Sequence, residues 1–151
     1  MTPISQEQTL ELIPVDKLLE RVQAMHQQGY RLVQISATRL PDKLELTYSF
    51  ALEGRVAQLR LHLVDDVPCV PSISSIYWCA FLYENEIHDL FNLAVEGMAV
   101  DFKGTLYKTA VKYPFGSTKP PVAKAGTATA TSAASTPAPV PPPPSATANT
   151  R

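Results

Sequence analysis

Residues 43–52 read KLELTYSFAL, and they carry the clearest structural pattern in the chain. Large apolar side chains stand at the even-numbered positions, and Lys, Glu, Thr, Ser and Ala stand between them. Strict alternation of this kind predicts a β-strand with one buried face and one more exposed face. Glu53-Gly54 predicts a tight turn into residues 55–64, which alternate in the same way, so the two strands are expected to pair antiparallel.

Upstream of this hairpin, the pattern predicts a helix and a further strand of the same meander. Residues 14–28 carry apolar side chains at helical spacing, and Gly29 follows where a left-handed residue would end a helix. Residues 30–40 predict the strand that pairs with the hairpin. The polar lead-in before the helix is expected to hold a short strand at residues 9–13.

Downstream of the hairpin, a loop, a second helix and a terminal hairpin are expected. Residues 65–71 contain two prolines and predict the loop, whereas residues 78–91 show the helical spacing of aromatic and aliphatic side chains. Residues 98–102 and 105–113 predict two extended strands around a Lys103-Gly104 turn. This order of elements predicts an α+β fold of two layers, with helices packed on one face of a mainly antiparallel sheet.

The composition changes abruptly at residue 117. Of the 35 residues 117–151, 28 are Pro, Ala, Thr or Ser, and no aromatic, Leu, Ile or acidic residue occurs there. Such a segment cannot bury enough apolar surface to offset the entropy of ordering, so residues 117–151 are predicted to be a disordered tail. Residues 1–116 are predicted to be the folded domain. The Pro141–Pro144 run leaves open whether the tail is a spacer or a polyproline ligand.

The formal net charge of −1 divides between a tail of +3 and a domain of −4. A mildly acidic domain argues against nucleic acid as a partner, because phosphate neutralisation needs a basic face, and it favours protein partners. The N-terminal residues show no signal-peptide pattern, and no window approaches the roughly 20 apolar residues of a membrane-spanning helix. Any membrane attachment is therefore expected to come through another protein.

Residues 71–97 read PSISSIYWCAFLYENEIHDLFNLAVEG. This stretch resembles the signature of the complex I thirty-kilodalton subunit family, in which a Ser/Ile or Ser/Val segment leads into an aromatic-rich acidic helix. The resemblance covers roughly residues 14–115. Where the family has Gly after Leu-Phe, this chain has Asn92, the next-best residue for a left-handed position at a helix end. The positions that match the family pattern are Ser72, Ile73, Ile76, Ala80, Tyr83, Glu84, Glu86, Ile87, His88, Asp89, Leu90, Phe91 and Gly97.

The end of the domain decides which branch of the family the chain resembles. Quinone-linked members continue with a His-Pro-Asp-Leu segment and a later Asp-Tyr-Pro-Leu segment, and neither is present here. The short ending at residues 101–115 resembles that of the family's counterpart in the energy-converting (Ech-type) membrane-bound NiFe hydrogenases. The resemblance therefore implies a non-catalytic scaffold subunit of a membrane-associated, ferredoxin-linked, hydrogen-evolving complex. A subunit of NADH:quinone oxidoreductase (complex I) is the alternative.

The same resemblance implies the partners, the cofactors and the location. The expected partners are the hydrogenase large subunit and the iron–sulfur subunits, with membrane subunits contacted indirectly, at the cytoplasmic side of the cell membrane. The NiFe centre and iron–sulfur clusters are expected in those partners, and no cofactor or small-molecule ligand is expected in this chain. The residues agree, since two cysteines are fewer than the four thiolates of a usual cluster and no glycine-rich phosphate motif is present.

The second helix carries a dense cluster of titratable residues: Glu84, Glu86, His88 and Asp89. A metal or proton-relay site is one interpretation, but zinc needs at least three convergent ligands and Glu86 is expected to point away from the other residues. A solvated face is the second interpretation. The resemblance favours the third, contacts with a partner subunit. The predicted partner interface consists of Tyr83, Glu84, Glu86, His88, Asp89 and Phe91, and no catalytic residue is predicted.

Two other functions stay open at this point. A free-standing enzyme would use His88 as general base, with Glu84 to orient it, although the sequence offers no nucleophile or cofactor motif. An independent binding module would use residues 117–151 as a tether.

The cysteines, aromatic residues and other histidines each have a structural interpretation beside a functional one. Cys69 and Cys79 could form a disulfide or redox switch, but Cys79 is expected to be a small buried side chain near the helix start. His26 and His62 are expected at the surface or at an edge. The aromatic side chains expected to pack in the core rather than stack on a ligand are Trp78, Phe81, Tyr83 and Phe91.

Overall fold

The computed structural model describes residues 8–64 and 69–116. Within these ranges the chain begins with β1 and a single 3-10 turn, Val15–Lys17, and both helices are short. No helix of the described ranges is long and apolar enough to cross a membrane. The elements are β1 (Gln8–Leu12), α1 (Leu18–Gln27), β2 (Arg31–Arg39), β3 (Leu44–Leu52), β4 (Arg55–Leu63), β5 (Cys69–Pro71), α2 (Ala80–Phe91) and β6 (Ala94–Glu96).

The main sheet has four strands in the order β1-β4-β3-β2. β2 pairs antiparallel with β3, and β3 pairs antiparallel with β4, so the predicted meander is confirmed. Glu53 and Gly54 have φ values of 47° and 81°, the left-handed pair that a two-residue hairpin turn requires. The short N-terminal strand is also confirmed, and it adds to the free edge of β4 in the parallel direction.

The core lies between one face of this sheet and the two helices. Leu44, Leu46, Tyr48 and Phe50 of β3 are buried, as the alternation predicts, and they share one cluster with side chains of both helices. Each fully buried Leu or Phe contributes roughly 1.5–3 kcal/mol of transfer free energy. The prediction of a two-layer α+β fold with helices on a mainly antiparallel sheet is therefore confirmed.

Both helices end as the sequence predicts. Gly29 follows α1 with φ of 85°, and its amide donates to the carbonyl of His26. Asn92 follows α2 with φ of 60°, and its amide donates to the carbonyl of His88. An asparagine tolerates this left-handed conformation better than other residues with a Cβ, so Asn92 takes the place of the glycine.

The predicted terminal hairpin is wrong. Residues 98–116 form turns and bends without a strand, and the strand after α2 is instead β6, which pairs in parallel with β5 in a second, two-stranded sheet. The predicted Lys103-Gly104 turn is present. The backbone of this segment is held by side chains of α2, so it does not need a ladder partner. The predicted disordered tail, residues 117–151, lies outside the described residues.

Candidate partner interface

Helix α2 is fastened to the edge strand of the main sheet by side chains near both of its ends. The hydroxyl of Tyr83 donates to the carbonyl of Val33 at 3.1 Å, and Arg39 of β2 donates to the carbonyl of Phe91 at 3.5 Å. Ile87 of α2 is buried in the core. These contacts fix which side chains of α2 turn inward and which remain accessible.

Glu84 turns inward and is 3% exposed. One carboxylate oxygen accepts from the Ser72 hydroxyl at 2.7 Å, and the other accepts from the Ile73 amide at 2.7 Å. Burial raises the pKa of this carboxyl above its ordinary value, and the two hydrogen bonds oppose that rise. Glu84 therefore stabilises the loop that precedes α2 within its own chain.

The hydrogen bonds of Glu84 continue into a small buried network. Ser72 Oγ lies 2.7 Å from Ser74 Oγ and accepts from the Ser74 amide at 3.1 Å. Ser74 Oγ in turn accepts from the Ala99 amide at 2.9 Å. The Ser/Ile segment, which stands out in the sequence only as part of a motif, thus joins α2 to the segment that follows β6.

The structural role of Asn85 is not predicted from the sequence. It is fully buried, and its amide nitrogen donates to the carbonyls of Phe81 and Val100 at 2.7 and 2.8 Å. Its carbonyl oxygen accepts from the Phe102 amide at 2.8 Å. The signal in the sequence is the four-residue spacing of Asn85 and Asp89, which places both on one side of a helix.

Asp89 holds the same segment one turn further along the helix. It is 5% exposed, and its Oδ2 accepts from the Tyr107 amide at 2.9 Å. Its Oδ1 is buried without a hydrogen-bond partner in the described residues. The segment's end is tied down by the Phe115 amide, which donates to the carbonyl of Leu90 at 2.9 Å.

The geometry contradicts a catalytic pair of Glu84 and His88. His88 Nδ1 lies 2.8 Å from the carbonyl of Leu93, and a carbonyl oxygen can only accept, so this nitrogen carries a proton and donates it. Glu84 makes its hydrogen bonds to Ser72 and Ile73 instead, and the orienting role suggested for it is wrong. Among residues 8–64 and 69–116, no group of three or more His, Cys, Asp or Glu side chains is placed to hold a metal ion.

The six predicted interface residues thus occupy different environments. Glu84 and Asp89 are buried and serve loops of this chain. Glu86, His88, Tyr83 and Phe91 are half-buried on α2, with Phe91 packed on the ring of Phe115 at 5.5 Å. Accessible contacts for a partner are therefore offered by residues around Glu86 and Tyr83 rather than by the whole acidic cluster.

A group of exposed and half-buried apolar side chains lies at the start of α2 and on the segment that follows β6, and we call it the aromatic surface. Trp78 is 63% exposed and Leu82 is 49% exposed. The Trp78 and Phe81 rings are 5.6 Å apart, and Phe81 and Phe102 are 6.4 Å apart. The aromatic surface consists of Trp78, Phe81, Leu82, Phe102, Leu106 and Tyr107.

A groove of about 370 Å³ crosses the aromatic surface. It is lined by Cys79, Leu82, Tyr83, Glu86, Leu106 and Tyr107. Two predictions fail here, because Cys79 is exposed rather than buried and Trp78 does not pack in the core. Trp78 and Cys79 lie before the first residue of α2, and α2 does not shield them from solvent. The core aromatic residue of this region is Tyr77, whose hydroxyl donates to the carbonyl of Tyr30 at 2.6 Å.

The face of the main sheet that does not pack against the helices is polar, unlike the aromatic surface. Glu45 lies 3.3 Å from both Arg60 Nε and His62 Nε2, and Arg60 also donates to the Thr47 hydroxyl. Leu12 is 62% exposed at the edge of this face, beside Arg60 in the register of β1 and β4. The two histidines predicted at the surface or an edge are there, since His26 is exposed and His62 is half-buried on this face.

Comparison with known proteins agrees with this fold. The sequence model for the family described as respiratory-chain NADH dehydrogenase, 30 Kd subunit, matches residues 12–121. No curated protein matches the chain at a significant level.

Several solved structures are similar to the chain, including the following two. One is a chain of the membrane-bound sulfane sulfur reductase, an archaeal respiratory membrane complex, with a TM-score of 0.59 and 25% identity over 66% of this chain. This chain spans 63% of that chain, which is less than two thirds of its length. The other is a trypsin-resistant fragment of Nqo5, with a TM-score of 0.53 and 18% identity over 60% of this chain and 80% of the fragment, a likeness of fold alone.

Proposed function

Because the chain belongs to the family of the respiratory-chain NADH dehydrogenase 30 Kd subunit, we propose that it is a non-catalytic subunit of a membrane-associated oxidoreductase complex. In this proposal the complex is an energy-converting NiFe hydrogenase, and the aromatic surface packs against the large subunit that carries the active site. The NiFe centre and the iron–sulfur clusters belong to the partner subunits. The chain sits peripherally on the cytoplasmic side of the cell membrane, held there by those partners.

The observation that carries the proposal is the exposure of the aromatic surface. Trp78, Leu82 and Tyr107 are 63%, 49% and 46% exposed; Leu82 and Tyr107 line one groove, and Cys79, the neighbour of Trp78 in the chain, lines it too. Contiguous exposed apolar groups of this kind mark interaction sites, and aromatic side chains supply much of the binding energy at protein interfaces. Glu86 also lines this groove, so the apolar contact is bordered by a charged side chain, as the apolar centre of a protein interface usually is.

The choice of a hydrogenase rests on the short end of the domain. Residues 101–115 lack the two segments typical of quinone-linked members, and the structure folds this ending onto α2 through Asn85 and Asp89. The second candidate is a subunit of a sulfur-reducing membrane complex, which the similarity to a chain of the sulfane sulfur reductase favours. A complex I subunit is the third, and it is supported by the family match.

Purification of the tagged, full-length chain from its host in mild detergent tests the proposal. We expect a large subunit, iron–sulfur subunits and membrane subunits to co-elute, and the eluate to evolve hydrogen from reduced viologen. Sulfane sulfur reduction without hydrogen evolution would replace the hydrogenase by the second candidate, and NADH–quinone activity would replace it by the third. A chain that elutes alone, without any of these subunits, would contradict the scaffold role itself.

A matched pair of substitutions tests the aromatic surface. Leu82→Glu places a charge in the groove, and we expect it to reduce the recovered large subunit by at least tenfold, since burying an unpaired carboxylate costs more than about 1.4 kcal/mol. Leu12→Glu makes the same change on the polar face, where the side chain is 62% exposed. It should leave recovery unchanged. Equal recovery with both variants would show that the partner does not use the aromatic surface.

A further inference from the structure

The charges of the chain divide sharply at residue 102. Residues 1–101 carry 14 acidic and seven basic side chains, whereas residues 102–151 carry six basic and no acidic ones. Three of the six, Lys103, Lys108 and Lys112, lie in the described segment 98–116 and are exposed. An otherwise acidic domain therefore presents one basic region, and it is the region that α2 holds in place through Asn85 and Asp89.

Two of these lysines line a second groove, which we call the basic groove. It has a volume of about 460 Å³ and is open to solvent on one side. Lys112 lies over the ring of Tyr113 with its ammonium 4.8 Å from the ring centre, which limits the freedom of that side chain. The basic groove is lined by Gly104, Thr105, Tyr107, Lys108, Thr109 and Lys112.

The lysines of the basic groove have no charge partner in the part of the chain that the structure describes. The ion pairs found there involve Lys17, Arg21, Arg60 and His62. Lys108 and Lys112 line the groove together with Thr105 and Thr109, whose hydroxyls already donate to carbonyls of the same segment. The two ammonium groups are therefore the donors that the groove offers to carboxylate oxygens. Like charges gathered without a counter-charge attract an oppositely charged surface.

The basic groove and the aromatic surface form one continuous face. Tyr107 lines both grooves, and its amide is fixed by Asp89 at 2.9 Å. An apolar centre with a charged rim is the ordinary anatomy of a protein interface, in which the rim selects the partner and speeds association. The two features therefore fit a single partner surface.

We propose that the basic groove docks an acidic surface of the same protein partner that covers the aromatic surface. This inference rests on the proposed function and adds the chemistry of the contact: carboxylates of the large subunit enter the basic groove beside Lys108 and Lys112. A protein surface is favoured over an anionic lipid surface because Tyr107 lines the basic groove and also the apolar groove beside Leu82, so a single protein surface can meet both contacts. The shared ring of Tyr107 joins that groove to an apolar contact.

Zero-length cross-linking of the intact, detergent-purified complex with a carbodiimide tests the contact directly. The reagent joins an ammonium to a carboxylate only when the two groups touch. We expect mass spectrometry to find Lys108 or Lys112 joined to Asp or Glu of the large subunit, and Lys17 and Lys43 not joined to it. A complex that contains the large subunit but shows no cross-link from these two lysines would overturn the inference and leave the scaffold role intact. Absence of the large subunit from the complex would instead overturn the proposed function.

Charge reversal provides the second test, again with a matched control. We expect Lys108→Glu/Lys112→Glu to lower the recovery of the large subunit on the order of tenfold at low ionic strength and little at about 1 M salt, because salt screens exposed charges. Arg31→Glu/Arg55→Glu makes the same change in net charge at exposed positions of β2 and β4 and should have no effect. Equal losses in both variants would show a general charge effect and sink the inference.

Vesicle sedimentation distinguishes the lipid alternative. The full-length chain is mixed with phosphatidylglycerol vesicles and with phosphatidylcholine vesicles. We expect no sedimentation difference between them. Binding to the anionic vesicles that is lost in Lys108→Glu/Lys112→Glu would assign the basic groove to lipid and overturn the protein contact.

Discussion

The two helices of the domain differ in the polar side chains that they bury. Helix α1 follows the ordinary rule, with Leu18 and Val22 buried and Glu20 exposed. Helix α2 buries Glu84, Asn85 and Asp89 and leaves Leu82 49% exposed. Both helices bury apolar side chains against the sheet and leave one leucine exposed, but only α2 also buries polar side chains, with which it holds two loops.

One substitution made in both helices gives the largest expected effect. Leu18→Ala removes a fully buried side chain from α1, and we expect it to lower the free energy of unfolding by about 3 kcal/mol. Leu82→Ala removes the same atoms from an exposed site and should change it by less than about 0.5 kcal/mol. Urea denaturation of the full-length variants measures both. A comparable loss from Leu82→Ala would mean that the side chain is part of the core and not of a docking surface.

Glu84 should contribute less than a core leucine, but its effect should be distinctive. Glu84→Ala leaves the Ser72 hydroxyl and the Ile73 amide without their acceptors, and we expect a loss of about 2 kcal/mol. Glu86→Ala, two residues away and half-buried, is the control and should cost less than about 0.5 kcal/mol. Denaturation midpoints that fall equally for both variants would contradict the assignment of Glu84 to the buried network.

The same residue also sets a pH dependence with a defined sign. Burial raises the pKa of Glu84 in the folded protein above the ordinary 4.5, so the folded state binds this proton more tightly than the unfolded state does. The resulting stability is fully present below the unfolded-state pKa and is lost as the pH rises through the raised folded-state pKa. Comparison of the parent chain with Glu84→Gln from about pH 4.5 upward should show this slope in the parent alone, and parallel curves would contradict it.

Asp89→Asn should have a smaller effect on stability than Leu18→Ala or Glu84→Ala. Asp89→Asn keeps an oxygen to accept from the Tyr107 amide and removes a buried charge whose Oδ1 has no partner in the described residues. We expect a change of less than about 1 kcal/mol in stability. Asp89→Ala removes the acceptor as well, so hydrogen exchange of the Tyr107 amide should accelerate in this variant only. Faster exchange in both variants would show that the charge itself is required.

Sequence patterns predict the parts of this fold that depend on local periodicity. The meander follows from alternation in residues 43–52 and 55–64, and the ends of the helices follow from the left-handed preferences of Gly29 and Asn92. The segment 98–116 could not be predicted in this way. Backbone groups of this segment form hydrogen bonds with the side chains of Asn85 and Asp89 rather than with a partner strand. Such contacts do not require alternating or helical spacing of apolar residues in the segment.

The candidate site on α2 stays a prediction, but the structure shows where each of its side chains lies. The motif around residues 83–91 predicts a partner interface on α2 from the sequence alone. Whether each acidic side chain is buried or exposed depends on what packs against it, and the motif does not contain that information. A carboxylate such as Glu84 is ordinarily expected in solvent, and only the nearby amide and hydroxyl donors of Ile73 and Ser72 make its burial tolerable. Trp78 and Leu82 illustrate the converse, because apolar composition alone does not distinguish a core side chain from an exposed one.

The parallel pairing of β1 with β4 has a consequence for the order of folding. β2, β3 and β4 are joined by short turns and can pair locally, but Gln8 must find Val56 across most of the meander. Contacts between residues that are far apart in sequence form late, because closing the long loop between them costs conformational entropy before the contact can stabilise the chain. All five residues of β1 are exposed, so the strand exposes little additional apolar surface when it detaches from the sheet. The strand should therefore be the last to join the sheet and the first to detach, which makes the N-terminal edge the least cooperative part of the native state.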